Sequence, residues 1–114
     1  MKQNYKNLIV WQKAIALVTE VYRLTQAFPK EERYGLTSQI RRASVSVPSN
    51  IAEGQGRLTR GEFRQFLGHA KGSLAELNTQ LIIAQNLGYA DDTLQPKLDE
   101  VAKLLNGLLN SLRD

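Results

Sequence analysis

Apolar residues return at helical spacing along nearly the whole 114-residue chain, and this period leaves little room for anything but helices. Val10, Ala14, Leu17, Val21, Leu24 and Phe28 step by four, three, four, three, four. Leu36, Ile40, Ala43, Val47, Ile51 and Gly54 keep the same period. So do Phe63, Leu67, Ala70, Leu74, Leu77, Leu81 and Ala84, and then Leu94, Leu98, Val101, Leu105, Leu108 and Leu112. No segment shows the period of two that a half-buried strand requires. The breaks are short. Pro29 stops the first helix, and "FPKEERYG" is the first connection. Thr59 and Glu62 have the spacing of a capping box, in which each side chain satisfies an orphan backbone N–H. Gly88 suits a left-handed stop, and Asp91 or Asp92 suits the start of the fourth helix, with Pro96 in or near its first turn. Four amphipathic helices with short connections predict an all-α, antiparallel, up-down-up-down four-helix bundle, with residues 1–114 as one domain. Its core is expected to hold Ile40, Val47, Leu67, Leu74, Leu81, Leu98, Val101 and Leu105.

Two helices carry more than a core stripe. The first has a second apolar stripe, Trp11, Ile15, Val18 and Tyr22, beside the first. A bundle core needs only one stripe, so the surplus predicts an oligomer interface. The second helix contains "QIRRASVSVPSNIAEGQGR", residues 39–57, the least helical composition in the chain. Pro48 removes the hydrogen bond to the Ser44 carbonyl, at a cost of about 3 kcal/mol in a regular helix. A kink is expected there, with nearby serine hydroxyls serving the freed carbonyl. Arg42, Ser46, Ser49 and Glu53 share one face and form a candidate internal polar network.

Composition narrows the chemistry. There is no cysteine, which excludes disulfides and thiolate metal sites and suits a reducing cytoplasm. The apolar run Leu8 to Trp11 is too short for a secretory signal, and no stretch approaches the ~18 apolar residues of a membrane span. A cytoplasmic protein without membrane attachment is expected. The single histidine, His69, has no plausible acid/base partner. An α-hairpin turning near Gly56 puts Glu53 opposite Arg60 and His69 opposite Ser44, so Glu53 and His69 lie about 14 Å apart at 1.5 Å per residue. Glu62, His69 and Glu76 share a stripe, but at about 10 Å spacing they cannot hold one metal ion. No catalytic residue, cofactor or metal is expected, and an RNA-processing enzyme is the weakest functional reading.

Charge offers a better lead. Residues 1–71 hold 12 Lys/Arg against 5 Asp/Glu, a balance of +7; residues 72–114 hold 3 against 6, a balance of −3. Arg41, Arg57, Arg60, Arg64 and Lys71 are the candidate phosphate contacts of a nucleic-acid-binding face, although Arg41 can equally bond Glu53 or a helix-end carbonyl at an interface. Gly61, Gly68 and Gly72 lie along the same flank, and glycine costs about 1 kcal/mol against alanine in a helix. They imply close approach by another helix or by a phosphate backbone. Tyr5, Trp11 and Tyr22 are candidate base-stacking rings, although at helical spacing packing against a neighbouring helix explains Trp11 and Tyr22 as well. A basic face can equally meet an acidic protein, which leaves an interaction scaffold without a nucleic-acid ligand as the second reading.

The stretch "LIVWQKAIALVTEVYRLTQAFPKEERYGLTSQIRRASVSVPSNIAEGQGR", with "EFRQFLGHAKGSLAELNTQL" and "LGY" after it, closely resembles the 23S rRNA intervening-sequence protein family. The most specific part is the helix 2 block of Gln39, Arg41, Arg42, Ser46, Pro48, Asn50, Ile51, Ala52, Glu53 and Gly54. The family is a group of bacterial four-helix-bundle proteins, named for reading frames inside intervening sequences of large-subunit ribosomal RNA genes. It is similar to the accessory variability protein of diversity-generating retroelements, a basic bundle that partners a reverse transcriptase and nucleic acid. The resemblance implies a four-helix bundle, assembly into a homopentamer and contact with RNA or DNA. It implies no catalytic residue. Periodicity alone implies only that the chain is not a monomer.

Overall fold

The computed structural model describes residues 4–113. Four helices account for most of them: α1 (Ile9–Thr25), α2 (Leu36–Gln55), α3 (Arg60–Asn86) and α4 (Gln95–Ser111). Short 3-10 turns at Tyr5–Asn7 and Lys30–Glu32 precede α1 and α2. Each helix packs on the next, and α4 closes the circle on α1, with no close backbone approach across either diagonal among the described residues. The result is the expected four-helix bundle, 47 Å long and 22 × 20 Å across. All eight residues expected in the core are buried, together with Val10, Ala14, Leu17, Val21 and Leu77.

Most of the boundaries follow from local chemistry. Thr59 Oγ1 accepts the Glu62 N–H at 3.1 Å and caps α3. The box is not reciprocal, because the Glu62 carboxylate accepts the Thr59 hydroxyl (3.0 Å) rather than a backbone N–H. At the other end Gly88 adopts φ +79°, as expected of a left-handed stop. The Tyr89 N–H then reaches back to the Ala84 carbonyl and the Gly88 N–H to that of Gln85, the bond pair of a Schellman motif. The start of α4 differs from expectation. Asp91 Oδ1 accepts the Thr93 N–H and makes a local turn, so the helix begins only at Gln95, with Pro96 in its first turn. Competition between an aspartate-centred turn and a helix cap explains the delay.

Helix α2 runs unbroken through Pro48, which is buried. The neighbouring hydroxyls do not serve the Ser44 carbonyl: Ser44 donates to the Arg41 carbonyl at 2.7 Å, and Ser46 pairs with Ser73 Oγ of α3 at 2.8 Å. That last pair also corrects the hairpin register. A turn at Gly56 would put Ser46 near Leu67, whereas its partner lies six residues further along α3. The connection spans residues 56–59, so the turn is centred beyond Gly56. Gly54 is a point of close approach between the two helices. A Cβ there would stand 2.7 Å from Phe66 Cβ and 3.1 Å from Phe63 Cδ1.

The far end of the bundle is closed by one carboxylate. Glu32 Oε1 accepts the Leu36 N–H at the start of α2 (3.1 Å), and Oε2 accepts the Tyr89 hydroxyl of the α3–α4 connection (3.2 Å). The Tyr89 ring packs on buried Phe28, with 5.6 Å between centroids. Desolvation first, then the Glu32 carboxylate, raises the Tyr89 phenol above its ordinary value of 10.0. The unfolded chain therefore loses this proton first as pH rises. Stability is expected to fall above about pH 10, and Tyr89→Phe should remove part of that fall. Denaturant midpoints across alkaline pH for the two proteins give the check; identical slopes would contradict it.

The glycines make a second test. Gly54→Ala is expected to destabilise the fold by about 1–3 kcal/mol through overpacking. Gly68→Ala meets open space within the subunit and should raise the helix's intrinsic stability by about 1 kcal/mol. Chemical denaturation of the two variants should move in opposite directions, and a shift of the same sign in both would show the packing to be misread.

Candidate nucleic-acid interface

The five predicted basic contacts divide into pinned and open side chains. Arg41 is pinned. Its Nε donates to Thr25 Oγ1 at 2.8 Å, Nη2 donates to the Tyr22 carbonyl at 3.3 Å, and the guanidinium lies 4.6 Å from the Tyr22 ring centroid. It binds the last turn of α1, where unpaired carbonyls and the helix dipole attract a cation. Of the two roles open to Arg41 from sequence, this is the bond to a helix-end carbonyl. Arg57 follows α2, 3.9 Å from Glu53 Oε1 and over the Phe66 ring at 4.7 Å. Arg60 does not face Glu53, as the hairpin reading has it. It crosses to α4, where Nη2 donates to the Ser111 carbonyl (2.8 Å) and Nε to that of Leu112 (3.2 Å).

Arg64 and Lys71 are exposed on α3 and make no hydrogen bond or ion pair with another described residue. Arg60, Gly61, Arg64, Gln65 and Gly68 line one wall of an open groove of about 400 Å³, with Leu109 of α4 and Leu112, its C-cap, opposite. Lys71 borders the next groove along the same α3–α4 seam, about 190 Å³, with Leu74, Leu98 and Ala102 at its floor. Gly61, Gly68 and Gly72 have nothing within 4 Å of a Cβ position. No helix of the same subunit approaches them, so the expectation of close helix contact at these positions fails within the chain. Three features thus coincide along α3: open cations, missing side chains and a groove.

The proposed polar stripe of α2 is rearranged. Ser46 is part of a real cluster, but with Ser73 and with Asn50, whose Nδ2 donates to the Ser46 carbonyl and hydroxyl at 2.8 and 2.9 Å. Arg42, Ser49 and Glu53 are exposed and take no part in it. Arg42 instead borders a surface groove with Gln39, Ser46, Ser73 and Glu76. The four positions share a face, as spacing required, but that face is turned partly to solvent. Ser73 and Asn50 are the members that sequence reasoning missed; the spacing of Ser73 from Leu77 and Leu81 carried no sign of which helix it meets.

The surplus stripe of α1 is also divided. Trp11, Ile15 and Val18 border a shallow, mainly apolar groove with Val45, Pro48 and Ala52 of α2. Tyr5 folds back on Trp11 in an edge-on pair at 5.3 Å. Ile15 remains 39% exposed and Val45 40%. Tyr22, 40% exposed, belongs to the Arg41 stack rather than to this groove. Val45, Pro48 and Ala52 were overlooked as partners of the stripe, although their three- and four-residue spacing was visible.

His69 is exposed and makes an edge-on contact with Phe66 at 5.8 Å. Among the described residues no three His, Asp or Glu side chains come together as a metal site, and no helix is long and apolar enough to cross a membrane. What the geometry defines is a small four-helix bundle with an open basic flank on its longest helix and an apolar groove on the opposite pair. The 23S rRNA-intervening sequence protein family matches residues 6–109, and the chain belongs to that family. No curated protein matches the chain.

Proposed function

We propose that the protein is a non-enzymatic, oligomeric helical module that binds RNA or DNA weakly and mainly through phosphates. The observation that carries this reading is the open flank of α3. Arg64 and Lys71 stand there without polar partners beside Gly61, Gly68 and Gly72, which leave room for a backbone to come close. Arg57 and Arg60 sit at the adjoining end of the bundle. No side chain on this flank is paired with another for base-edge recognition, so sequence preference should be slight. Several copies in one assembly would multiply weak contacts into useful affinity. Accessory service to a nucleic-acid enzyme suits such a module.

The experiment is a titration of labelled RNA and DNA at several salt concentrations. Arg64→Ala with Lys71→Ala should weaken binding to all sequences alike and flatten the salt slope by about two ion equivalents at most. Absence of binding by the wild type at low salt, with the assembly intact, favours the protein-scaffold reading instead.

Assembly rests on the apolar groove of α1 and α2. Trp11, Ile15, Val18 and Val45 form a continuous half-exposed surface that a second copy would cover, in a ring of the pentameric kind expected of the family. In a closed ring two different faces of the subunit meet. Ile15→Arg should shift the protein toward monomer in light scattering while helical content stays the same. A wild-type protein that is monomeric at micromolar concentration would falsify the assembly.

A further inference from the structure

We infer that Arg60 and Arg64 form a two-arginine phosphate site, and that the C-terminal carbonyls of α4 hold Arg60 in the orientation that site requires. The inference rests on the phosphate-binding reading above and locates its principal contact.

Arg60 is anchored by one edge only. Nε and Nη2 share one edge of the planar guanidinium, and these two atoms donate to the Leu112 and Ser111 carbonyls at 3.2 and 2.8 Å. A guanidinium has five N–H groups in a rigid fork. The end edge, with the Nη1 hydrogens and the second Nη2 hydrogen, is left for another acceptor. The carbonyls come from the last turn of α4, where no intrahelical donor is available to them. They therefore satisfy Arg60 while Arg60 satisfies them, and the partial negative charge of that helix end is taken up by the guanidinium rather than turned toward the groove.

Arg64 follows one turn later and borders the same groove of about 400 Å³. It makes no polar contact of its own, so its full fork is available. Gly61 and Gly68 flank the two arginines, and a Cβ at either would meet nothing within 4 Å. The wall is low where a phosphate and its sugars would have to enter. Gln65 adds a neutral amide at the rim. An arginine already held by two hydrogen bonds loses less side-chain entropy on binding than a free one. The ligand chemistry is a phosphodiester, bound bidentately by Arg60 and supported by Arg64.

The fork distinguishes this site from a diffuse basic surface. Binding of a short labelled oligouridylate at low salt is measured for the wild type, Arg60→Ala, Arg60→Lys and Arg64→Ala. Backbone hydrogen exchange of residues 108–113 is followed with and without the RNA. Arg60→Ala and Arg64→Ala should each bind about tenfold more weakly. Arg60→Lys keeps the charge but not the planar fork, and should recover little of the loss. The α4 amides should exchange no faster with RNA bound than without it. Wild-type affinity in Arg60→Lys would reduce the site to simple charge. Faster exchange on binding would mean that phosphate pulls Arg60 away from α4, and the positioning role would be lost. Binding that disappears in the Arg64/Lys71 double variant yet survives both Arg60 changes overturns this site alone. No binding by the wild type overturns the phosphate reading itself.

Discussion

The close approach of α2 and α3 is the contact on which the rest of the bundle depends. It is made at Gly54, where the missing side chain admits Phe66 Cβ to 2.7 Å from where a Cβ would stand, closer than a Cβ would permit, and Phe63 to a tight 3.1 Å. The Ser46–Ser73 hydrogen bond then sets how far the helices slide along each other. Together they account for a helix that looks poorly suited to being one. Its serines, asparagine and glycine give up helix propensity for tight contact and for register. Pro48 is buried in the same helix, on the side that meets α1.

The C-termini of α1, α3 and α4 are finished in two ways, and the difference governs where two of the arginines go. Helix α3 ends on Gly88 in the left-handed region and satisfies its own carbonyls by a Schellman turn. Helices α1 and α4 have no such glycine. Each is closed by an arginine from a neighbouring helix: Arg41 of α2 reaches the end of α1, and Arg60 of α3 reaches the end of α4. Opposite charge at a helix C-terminus is favourable by about 0.3–1 kcal/mol at exposed sites. A count of basic residues therefore overstates the surface available to a polyanion, since some of that charge serves the bundle. Arg42 of α2 and Lys97 and Lys103 of α4 also stay in the open, but on α3 the open cations Arg64 and Lys71 stand along a seam of grooves with glycines beside them.

The two faces offered to the outside differ in character. The α1–α2 groove presents large apolar side chains around Trp11 and Val45. The α3 flank presents almost no side-chain bulk between its cations. The first suits protein packing, where area removed from water supplies the driving force. The second suits a ligand whose own bulk and charge must come near the backbone. They lie on different sides of the bundle, so a partner covering one would leave the other open.

How much of this was present in the sequence varies with the range of the interaction. The helical period identified all four helices and the core from Ile40 to Leu105, because burial of one face is a local requirement repeated every three or four residues. The Gly88 stop and the Thr59 cap were equally legible, as they depend on neighbours within six residues. The α4 start was misplaced, since an aspartate turn and a helix cap use the same residue types. The partner of Ser46, the destination of Arg41 and Arg60, and the emptiness around Gly61, Gly68 and Gly72 were decided only in the tertiary structure. Each depends on which helix lies opposite and at what register, and helical periodicity records that a face is buried without recording what buries it.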